Sequence, residues 1–317
     1  MEFNQMSWLI SLLSQNPYGY TLREINDFWQ DSTAYNDRPI SRTTLFRARD
    51  TILNKFGILI DCEFHRNNSR YKIGNPSELR KDTMKNWLYS NLTVGNLLSD
   101  YTALKDQIML ENIPVDATHL NNILVALSKL RLIELEYQKY TSEHSSQRTV
   151  APLALKLWQQ RWYLLTAEHP VSEPTKDRKL PAFCDTLKLR TFSLNRIKNI
   201  TLTDRKFRIP RDFSPQVHFS DCYGVYAGNG AKAERIVIRA YGQTPYYLRD
   251  LPLHHSQREL QSDADHTDFE LLLRPTPDFL NHLLTHGTGL RVLSPAHVVK
   301  QMQDIIEKLA QAYRNEG

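Results

Sequence analysis

Three arginines stand at points in the middle of the chain where short strands are expected. Arg148 is the first residue of the run Arg-Thr-Val-Ala-Pro. Arg190 is the first and Arg196 the last residue of the run Arg-Thr-Phe-Ser-Leu-Asn-Arg. A guanidinium group offers a planar fork of hydrogen-bond donors that matches a phosphate. Because neighbouring strands lie about 4.8 Å apart, we expect the three side chains to converge. The spacing therefore predicts a basic pocket for an anion, beside the aromatic residues Trp162 and Tyr163.

A second basic stretch lies near the start of the chain and has the composition of a nucleic-acid-binding surface. Between residues 38 and 72 there are eight lysines and arginines against three acidic residues, a local charge of +5. The whole chain also has a formal charge of +5, with a pI near 9.0. The overall charge permits a nucleic-acid partner, and its concentration in one short segment favours that interpretation.

The elements around this stretch predict a winged helix-turn-helix in residues 1–76. Two amphipathic helices come first, and a capping box of Thr21 and Glu24 opens the second. Ser41 is a good N-cap for a third helix, which Gly57 ends. An alternating pair of strands with a polar turn follows as the wing. Three helices and a basic hairpin are typical of a DNA-binding module.

The exposed face of the third helix supplies the residues that would read DNA. The first turns of a recognition helix meet base edges in the major groove. Arginine and threonine suit guanine, phosphate or thymine methyl groups there. The predicted DNA-binding residues on the helix and the wing are Arg42, Thr43, Thr44, Arg47, Arg66 and Arg70. The alternative is the solvated face of an ordinary helix, but the cap, the helix spacing and the basic wing together favour DNA binding.

The middle of the chain, residues 131–212, is predicted to form a small SH3-like or Sm-like β-barrel. Residues alternate in polarity from Ile133 to Tyr137, and two further strands meet at the turn Gln159-Gln160. Several short antiparallel strands in one stretch are typical of such a barrel. Apolar residues at helical spacing in residues 77–130 predict a helical linker that also offers a dimerisation surface.

These residues resemble the WYL-domain regulators, a family named for the Trp-Tyr-Leu that stands here at 162–164. The family pattern runs from an aromatic-ended strand through an arginine and a proline to the Trp-Tyr-Leu. An Arg-Thr-Phe-x-Leu-Asp-Arg-Ile run follows, matched here at 190–197 except for Asn195, where the family usually has Asp. In the family the barrel binds nucleotides, oligonucleotides or related anions. The resemblance implies that the effector-binding residues are Tyr137, Arg148, Arg190 and Arg196.

After residue 213 the pattern changes to strands that alternate with helices. The expected order is βαββαβα, from a strand at 235–239 to a last helix at 295–313. This order resembles the C-terminal extension that accompanies WYL domains, so residues 213–317 are expected to form that extension and to contribute to a dimer. The resulting fold class is α+β multidomain, with a winged helix-turn-helix, a small β-barrel and a C-terminal α/β extension.

Cysteine and histidine spacing offers no metal site. Cys62, Cys184 and Cys222 are scattered and odd in number, so neither a disulfide framework nor a zinc spacing is available. The adjacent pair His254-His255 is poorly placed for chelation if it lies on a strand, since neighbours on a strand point to opposite faces. We therefore expect no metal.

The chain also lacks the sequence patterns of the common enzyme classes. No phosphate-binding loop, dinucleotide fingerprint or nucleophile elbow is present. We expect no enzymatic activity and no cofactor. Because there is no N-terminal signal pattern and no apolar run of about 18 residues, we expect a cytosolic protein without a membrane partner.

Two functions are compatible with these patterns. The first is a homodimeric transcription regulator, acting as a repressor, which reads a palindromic operator in double-stranded DNA. Its barrel would bind a nucleotide-like or other anionic effector that changes the affinity for DNA. The order of domains resembles repressors found beside bacterial phage-defence operons. The second is a nucleic-acid-binding accessory subunit of a defence or repair complex, whose barrel grips DNA or RNA.

Overall fold

A computed structural model describes most of the chain and divides it into two compact units. The described residues are 3–32, 38–64, 69–100, 107–108, 118–168, 188–209, 211–227 and 231–314. The units are Met1–Asn112 and Ile113–Gly317, and each has its own buried core. Within the described residues, no helix combines the length and the apolar character that crossing a membrane requires.

Helices dominate the described part of the first unit, with a small antiparallel sheet beside them. The helices are α1 (Phe3–Ser14), α2 (Leu22–Gln30), α3 (Arg42–Phe56), α4 (Pro76–Lys81) and α5 (Thr83–Asp100). The strands are β1 (Tyr20–Thr21), β2 (Ile60–Glu63) and β3 (Arg70–Ile73), in the order β1-β3-β2. Three helices followed by a hairpin are therefore present in the order that the sequence predicts.

Local sequence signals determine where these helices begin and end. At the start of α2, the Thr21 hydroxyl accepts from the Glu24 amide and the Glu24 carboxylate accepts from the Thr21 amide, at 3.2 and 2.7 Å. Ser41 accepts from the Thr44 amide at 3.1 Å and begins α3. Gly57 ends α3 with φ of 65°, a left-handed conformation that favours glycine. The predicted caps are confirmed.

The core of the first unit extends beyond its first three helices. Leu9, Ile25 and Leu45 are fully buried in one cluster, and Leu79 of α4 is buried in the same cluster. Ser11 of α1 also donates to the Thr93 carbonyl of α5. The unit therefore continues past residue 76, where the sequence placed the end of the first domain, because the following helices complete its core.

The second unit begins with a helix on a five-stranded antiparallel sheet. The elements are α6 (Leu120–Lys129), β4 (Arg131–Gln138), β5 (Ser145–Trp158), β6 (Arg161–Glu168), β7 (Leu189–Ser193) and β8 (Ile197–Lys206). The strand order is β7-β6-β5-β4-β8. Gln159 and Gln160 both have positive φ, as a tight two-residue hairpin requires. Leu135 and Leu164 are fully buried under Ile123 of α6, so the sheet has one apolar face.

Within the described strands this sheet is curled but not closed, so the predicted barrel is not confirmed. Strands β7 and β8 are opposite edges, and no pairing between them occurs in the described residues. A single 3-10 turn, Leu194–Arg196, nevertheless joins them. In a flat sheet these edges would lie about 19 Å apart, whereas the step from Ser193 to Ile197 spans at most about 14 Å. The sheet must therefore curl at this end, where the 3-10 turn lies.

A second sheet with helices completes the chain. The elements are α7 (Pro215–Phe219), β9 (Glu234–Tyr241), α8 (Thr244–Asp250), β10 (Arg258–Ser262), β11 (His266–Leu273), α9 (Pro277–Leu284), β12 (Leu290–Ser294) and α10 (Ala296–Arg314). The strand order is β10-β11-β9-β12, all antiparallel. Ile238, Leu271 and Phe279 are at most 2% exposed in its core. From β9 to α10, the predicted βαββαβα order is confirmed.

Candidate functional site

The four residues predicted to bind an effector line one cavity of about 790 Å³ in the second unit. Tyr137 lies on β4, Arg148 on β5, Arg190 on β7 and Arg196 on the 3-10 turn between β7 and β8. The curl of the sheet brings these elements around a common space. A cavity of this size is in the range that accommodates a small organic ligand.

The described lining of the cavity is strongly basic and partly aromatic. Its cations are Lys139, Arg148, Lys188, Arg190, Arg196 and Arg274, and its polar aromatic residues are Tyr137, Tyr140, Tyr226 and His218. No acidic residue occurs among the described residues that line it. Six cations in one concave surface focus a positive potential, which attracts anions.

Arg148 and Arg190 are held together by Glu168 at the end of β6. Arg148 Nη1 donates to Glu168 Oε1 at 3.0 Å, and Arg190 Nε forms an ion pair with the same oxygen. The sequence predicted that these arginines lie on neighbouring strands, and this is wrong because β6 lies between β5 and β7. The Glu168 carboxylate on the intervening strand bridges the two guanidinium groups. Each guanidinium group has five N–H donors and keeps others for a ligand.

Arg196 is held by aromatic rings. Its guanidinium carbon lies 5.0 Å from the ring centre of Tyr137 and 4.6 Å from that of Tyr140. No carboxylate pairs with Arg196 in the described part of the chain, and its Nε is buried there without a hydrogen-bond partner. Asn195, at the position where the family usually has Asp, is exposed to solvent. The aromatic contacts therefore orient this guanidinium without cancelling its charge.

Tyr137 is a structural part of the cavity wall. It is 5% exposed and meets Phe192 edge to face, with ring centres 4.8 Å apart. Arg196 covers one face of its ring. Burial raises the pKa of the Tyr137 hydroxyl, although the nearby Arg196 acts in the opposite direction. The hydroxyl is therefore protonated at neutral pH and acts as a hydrogen-bonding group.

The far wall of the cavity comes from residues that the sequence did not single out. Arg274 follows β11, and it pairs with Asp221 at 3.0 Å and donates to the Ala227 carbonyl. It thereby holds the segment 225–227, which lines the cavity. Burial, and then the positive charge of Arg274, hold the pKa of His218 below its usual value. The imidazole of His218 is therefore neutral at pH 7 and can donate or accept a hydrogen bond.

Sequence reasoning missed these residues for physical reasons. Arg274 comes directly after an apolar strand and His218 lies in a five-residue helix, and neither belongs to a repeated pattern. Glu168 is one of many carboxylates at strand ends. Tyr140 could have been predicted as a cavity residue from the sequence, since it is an aromatic residue in a turn, three residues after the predicted site residue Tyr137.

A second candidate surface lies on α3 of the first unit. Arg42, Thr43 and Arg47 are exposed along one face, while Thr44 is half-buried and bonded to the Ser41 cap. Phe46, which the sequence analysis did not select, is 62% exposed on the same helix. An exposed aromatic among arginine and threonine suits contact with thymine methyl groups and phosphates.

The two predicted wing arginines are in different situations. Arg70 donates to the Gly19 carbonyl at 2.8 Å and pairs with Glu24 at 3.5 Å, so it fastens β3 to the start of α2. Arg66 lies outside the described residues. The structure therefore gives Arg70 a structural contact that the sequence did not predict.

No cluster of metal ligands occurs in the part of the chain that the structure describes. His254 and His255 lie in a turn rather than on a strand, with ring centres 4.1 Å apart. His254 Nδ1 is 2.7 Å from the Ser256 hydroxyl. Burial, and then the neighbouring His255, lower the pKa of His254 to about 4. The His254 ring is therefore neutral at pH 7.

Each of the two sheets of the second unit lies almost entirely in a segment that matches a known protein-family model. Residues 118–202 match the WYL domain, and residues 232–310 match the WCX domain. The chain carries a WYL domain. Tyr137, Arg148, Arg190 and Arg196 all lie within it, whereas Arg274 lies in the WCX domain. The cavity therefore has walls from both domains.

Two solved structures are similar over most of the chain, at low identity. One is proteasome accessory factor B/C (PafBC) of Arthrobacter aurescens, with 17% identity, 95% of this chain and 46% of that chain covered, and a TM-score of 0.36. The other is a CRISPR Cas-related protein, with 10% identity, 98% and 84% covered, and a TM-score of 0.40. The chain thus spans about half the length of the PafBC chain. No curated protein matches the sequence.

Proposed function

We propose that this protein is a DNA-binding transcription regulator whose WYL cavity binds a nucleotide-like anion. The main support is the convergence of Tyr137, Arg148, Arg190 and Arg196 on a single basic cavity. A phosphate matches the donors that Arg148 and Arg190 retain beyond their contacts with Glu168. The size of the cavity leaves room for more than a phosphate group.

DNA binding is assigned to the first unit. Arg42, Thr43 and Arg47 form an exposed face on a helix that is capped at Ser41, after two helices and before a hairpin. That order supports a winged helix-turn-helix in which α3 enters the major groove. The local excess of positive charge from residue 38 to residue 72 would favour approach to phosphates.

We also propose a homodimer that represses transcription from a palindromic operator. Ile306, Leu309 and Tyr313 are 50%, 50% and 79% exposed and follow one face of α10. Apolar residues repeated at this spacing support association with a second copy through that helix. Two α3 helices related by a two-fold axis would then meet half-sites about one or two helical turns apart.

The proposal is tested by measuring DNA affinity with and without nucleotides. The preferred duplex is first selected from a random pool, and mono- and oligonucleotides are then added. A ligand that distinguishes two states of the protein shifts DNA affinity by its differential affinity for them. We expect a shift of about 1–3 kcal/mol. The double variant Arg190→Ala with Arg196→Ala should abolish this response while operator affinity stays near wild type.

A control variant and one alternative outcome distinguish a ligand-controlled regulator from an accessory subunit. The double variant Arg235→Ala with Arg291→Ala removes two exposed arginines of the WCX sheet, outside the cavity lining, and should respond as wild type. If the Arg190/Arg196 variant loses operator binding while its fold is intact, the WYL domain itself grips nucleic acid. That result would favour an accessory subunit over a ligand-controlled regulator.

A further inference from the structure

The tyrosine that the sequence selected has almost no exposed ring surface in the cavity. Tyr137 is 5% exposed, Phe192 meets its ring edge to face, and Arg196 covers one of its faces. A planar ligand therefore has no free face of Tyr137 to stack on. Any stacking in this cavity must use another aromatic side chain.

Tyr140 has the exposure that Tyr137 lacks. It is 79% exposed, lines the cavity, and rests on the Arg196 guanidinium at 4.6 Å. The Arg196 guanidinium thus lies close to both rings, 5.0 Å from the centre of Tyr137 and 4.6 Å from that of Tyr140. Because Tyr140 is 79% exposed, most of its ring surface stays accessible to a ligand. An aromatic ring held in this way is a stacking surface for a planar ligand.

The rest of the cavity favours the same kind of ligand over a simple anion. Phosphate or sulfate needs only a few donors, and Arg148 with Arg190 supplies them beside Glu168. A space of about 790 Å³ with an exposed tyrosine is much larger than such an ion requires. Across the cavity, Tyr226 is 46% exposed and adds a second polar aromatic surface.

We propose that Tyr140, stacked on Arg196, is the specificity-determining residue of the cavity and selects ligands that carry a planar aromatic ring beside their phosphate. This inference rests on the proposed anion-binding function of the same cavity. It assigns charge recognition to Arg148 and Arg190, and ring recognition to Tyr140. Tyr137 positions Arg196 beneath that ring.

The test compares two probes that share a sugar phosphate and differ in the base. AMP and ribose 5-phosphate are titrated into the full-length protein by calorimetry. Stacking on an aromatic residue should make AMP bind about tenfold more tightly than ribose 5-phosphate. In Tyr140→Leu this ratio should fall to about one, whereas Tyr140→Phe should retain it. Because the ratio is compared within each variant, a general loosening of the cavity cancels.

Two controls separate stacking from other causes. Tyr246→Leu removes another exposed tyrosine that rests on an arginine, Arg249, outside the cavity lining, and should keep the wild-type ratio. Ring stacking also shifts the adenine H2 and H8 proton resonances of bound AMP upfield. That shift should be present in wild type and Tyr140→Phe and absent in Tyr140→Leu.

The possible failures are distinguishable. If Tyr140→Leu keeps the wild-type ratio, Tyr140 does not read the ring. A ratio of one in wild type would mean that the cavity recognises charge alone, which overturns the inference and leaves anion binding intact. If neither probe binds the wild type, and the Arg190/Arg196 variant behaves identically, both the inference and the proposed anion-binding function fail.

Discussion

Arg47 and Arg70 were both predicted to bind DNA, and their surroundings in the structure differ. Arg47 is exposed on α3, and its guanidinium has no ion pair within the described residues. Arg70 is committed to the Gly19 carbonyl and to Glu24. We therefore expect Arg47→Ala to weaken DNA binding at unchanged stability, and Arg70→Ala to lower stability.

The magnitudes follow from these contacts. A bidentate arginine–guanine contact contributes about 1–3 kcal/mol, so Arg47→Ala should weaken binding to the preferred duplex by about 5- to 150-fold. For Arg70, the charged hydrogen bond to Gly19 contributes about 1.5–3 kcal/mol when buried. The exposed ion pair to Glu24 contributes about 0–1 kcal/mol. Because the Arg70 side chain is 37% exposed, we expect a total loss of about 1–2 kcal/mol after screening by solvent.

Both variants are measured in the same two assays. Fluorescence anisotropy with the preferred duplex gives the DNA affinity, and thermal unfolding followed by circular dichroism gives the stability. A loss of 1 kcal/mol corresponds to a Tm decrease of about 4–8 °C for a unit of this size. Thr51→Ala on α3, whose hydroxyl donates only to the Arg47 carbonyl in the described residues, serves as a control for both. Weaker DNA binding by Arg70→Ala at an unchanged Tm, together with normal binding by Arg47→Ala, would refute this division of roles.

Three further predictions concern the second unit. Leu164→Ala removes a fully buried side chain from the WYL core and should lower the free energy of unfolding by about 2–5 kcal/mol in urea titrations. Burial lowers the pKa of His254 to about 4 from 6.5, so the unfolded state binds more protons between these values. Stability should therefore fall as the pH decreases from about 6.5 towards 4, and NMR should show a neutral His254 ring at pH 6. Light scattering should give about twice the 37.0 kDa chain mass, and Leu309→Glu on the exposed face of α10 should give the single-chain mass.

The parts of the fold that depend on local sequence were predictable. Thr21, Ser41 and Gly57 act through hydrogen bonds or φ angles within a few residues, so a short window contains all the necessary information. The order of strands and helices from β9 to α10 likewise follows from residue spacing. The predicted small barrel is not confirmed in the described residues, because pairing between distant strands depends on curl, which no local pattern specifies.

Only the part of the candidate site that lies in the WYL domain was predictable from the sequence. Arg148, Arg190 and Arg196 were identified from strand position and motif, and they do meet in one cavity. Arg274 and His218 could not be found in this way, since they reach the cavity from another part of the fold. Tyr137 does line the cavity, but its burial, which decides whether a ligand can stack on it, depends on tertiary packing.

The 3-10 turn that carries Arg196 has a mechanical consequence. It is the covalent joint between β7 and β8, which are the two free margins of the curled sheet. Because backbone bonds barely stretch, this short joint limits how far the two margins can separate at the end of the sheet where Arg196 lies. Helix α6 packs on this sheet through Ile123 and Ala126, so the surface that it covers is shaped by the same curl.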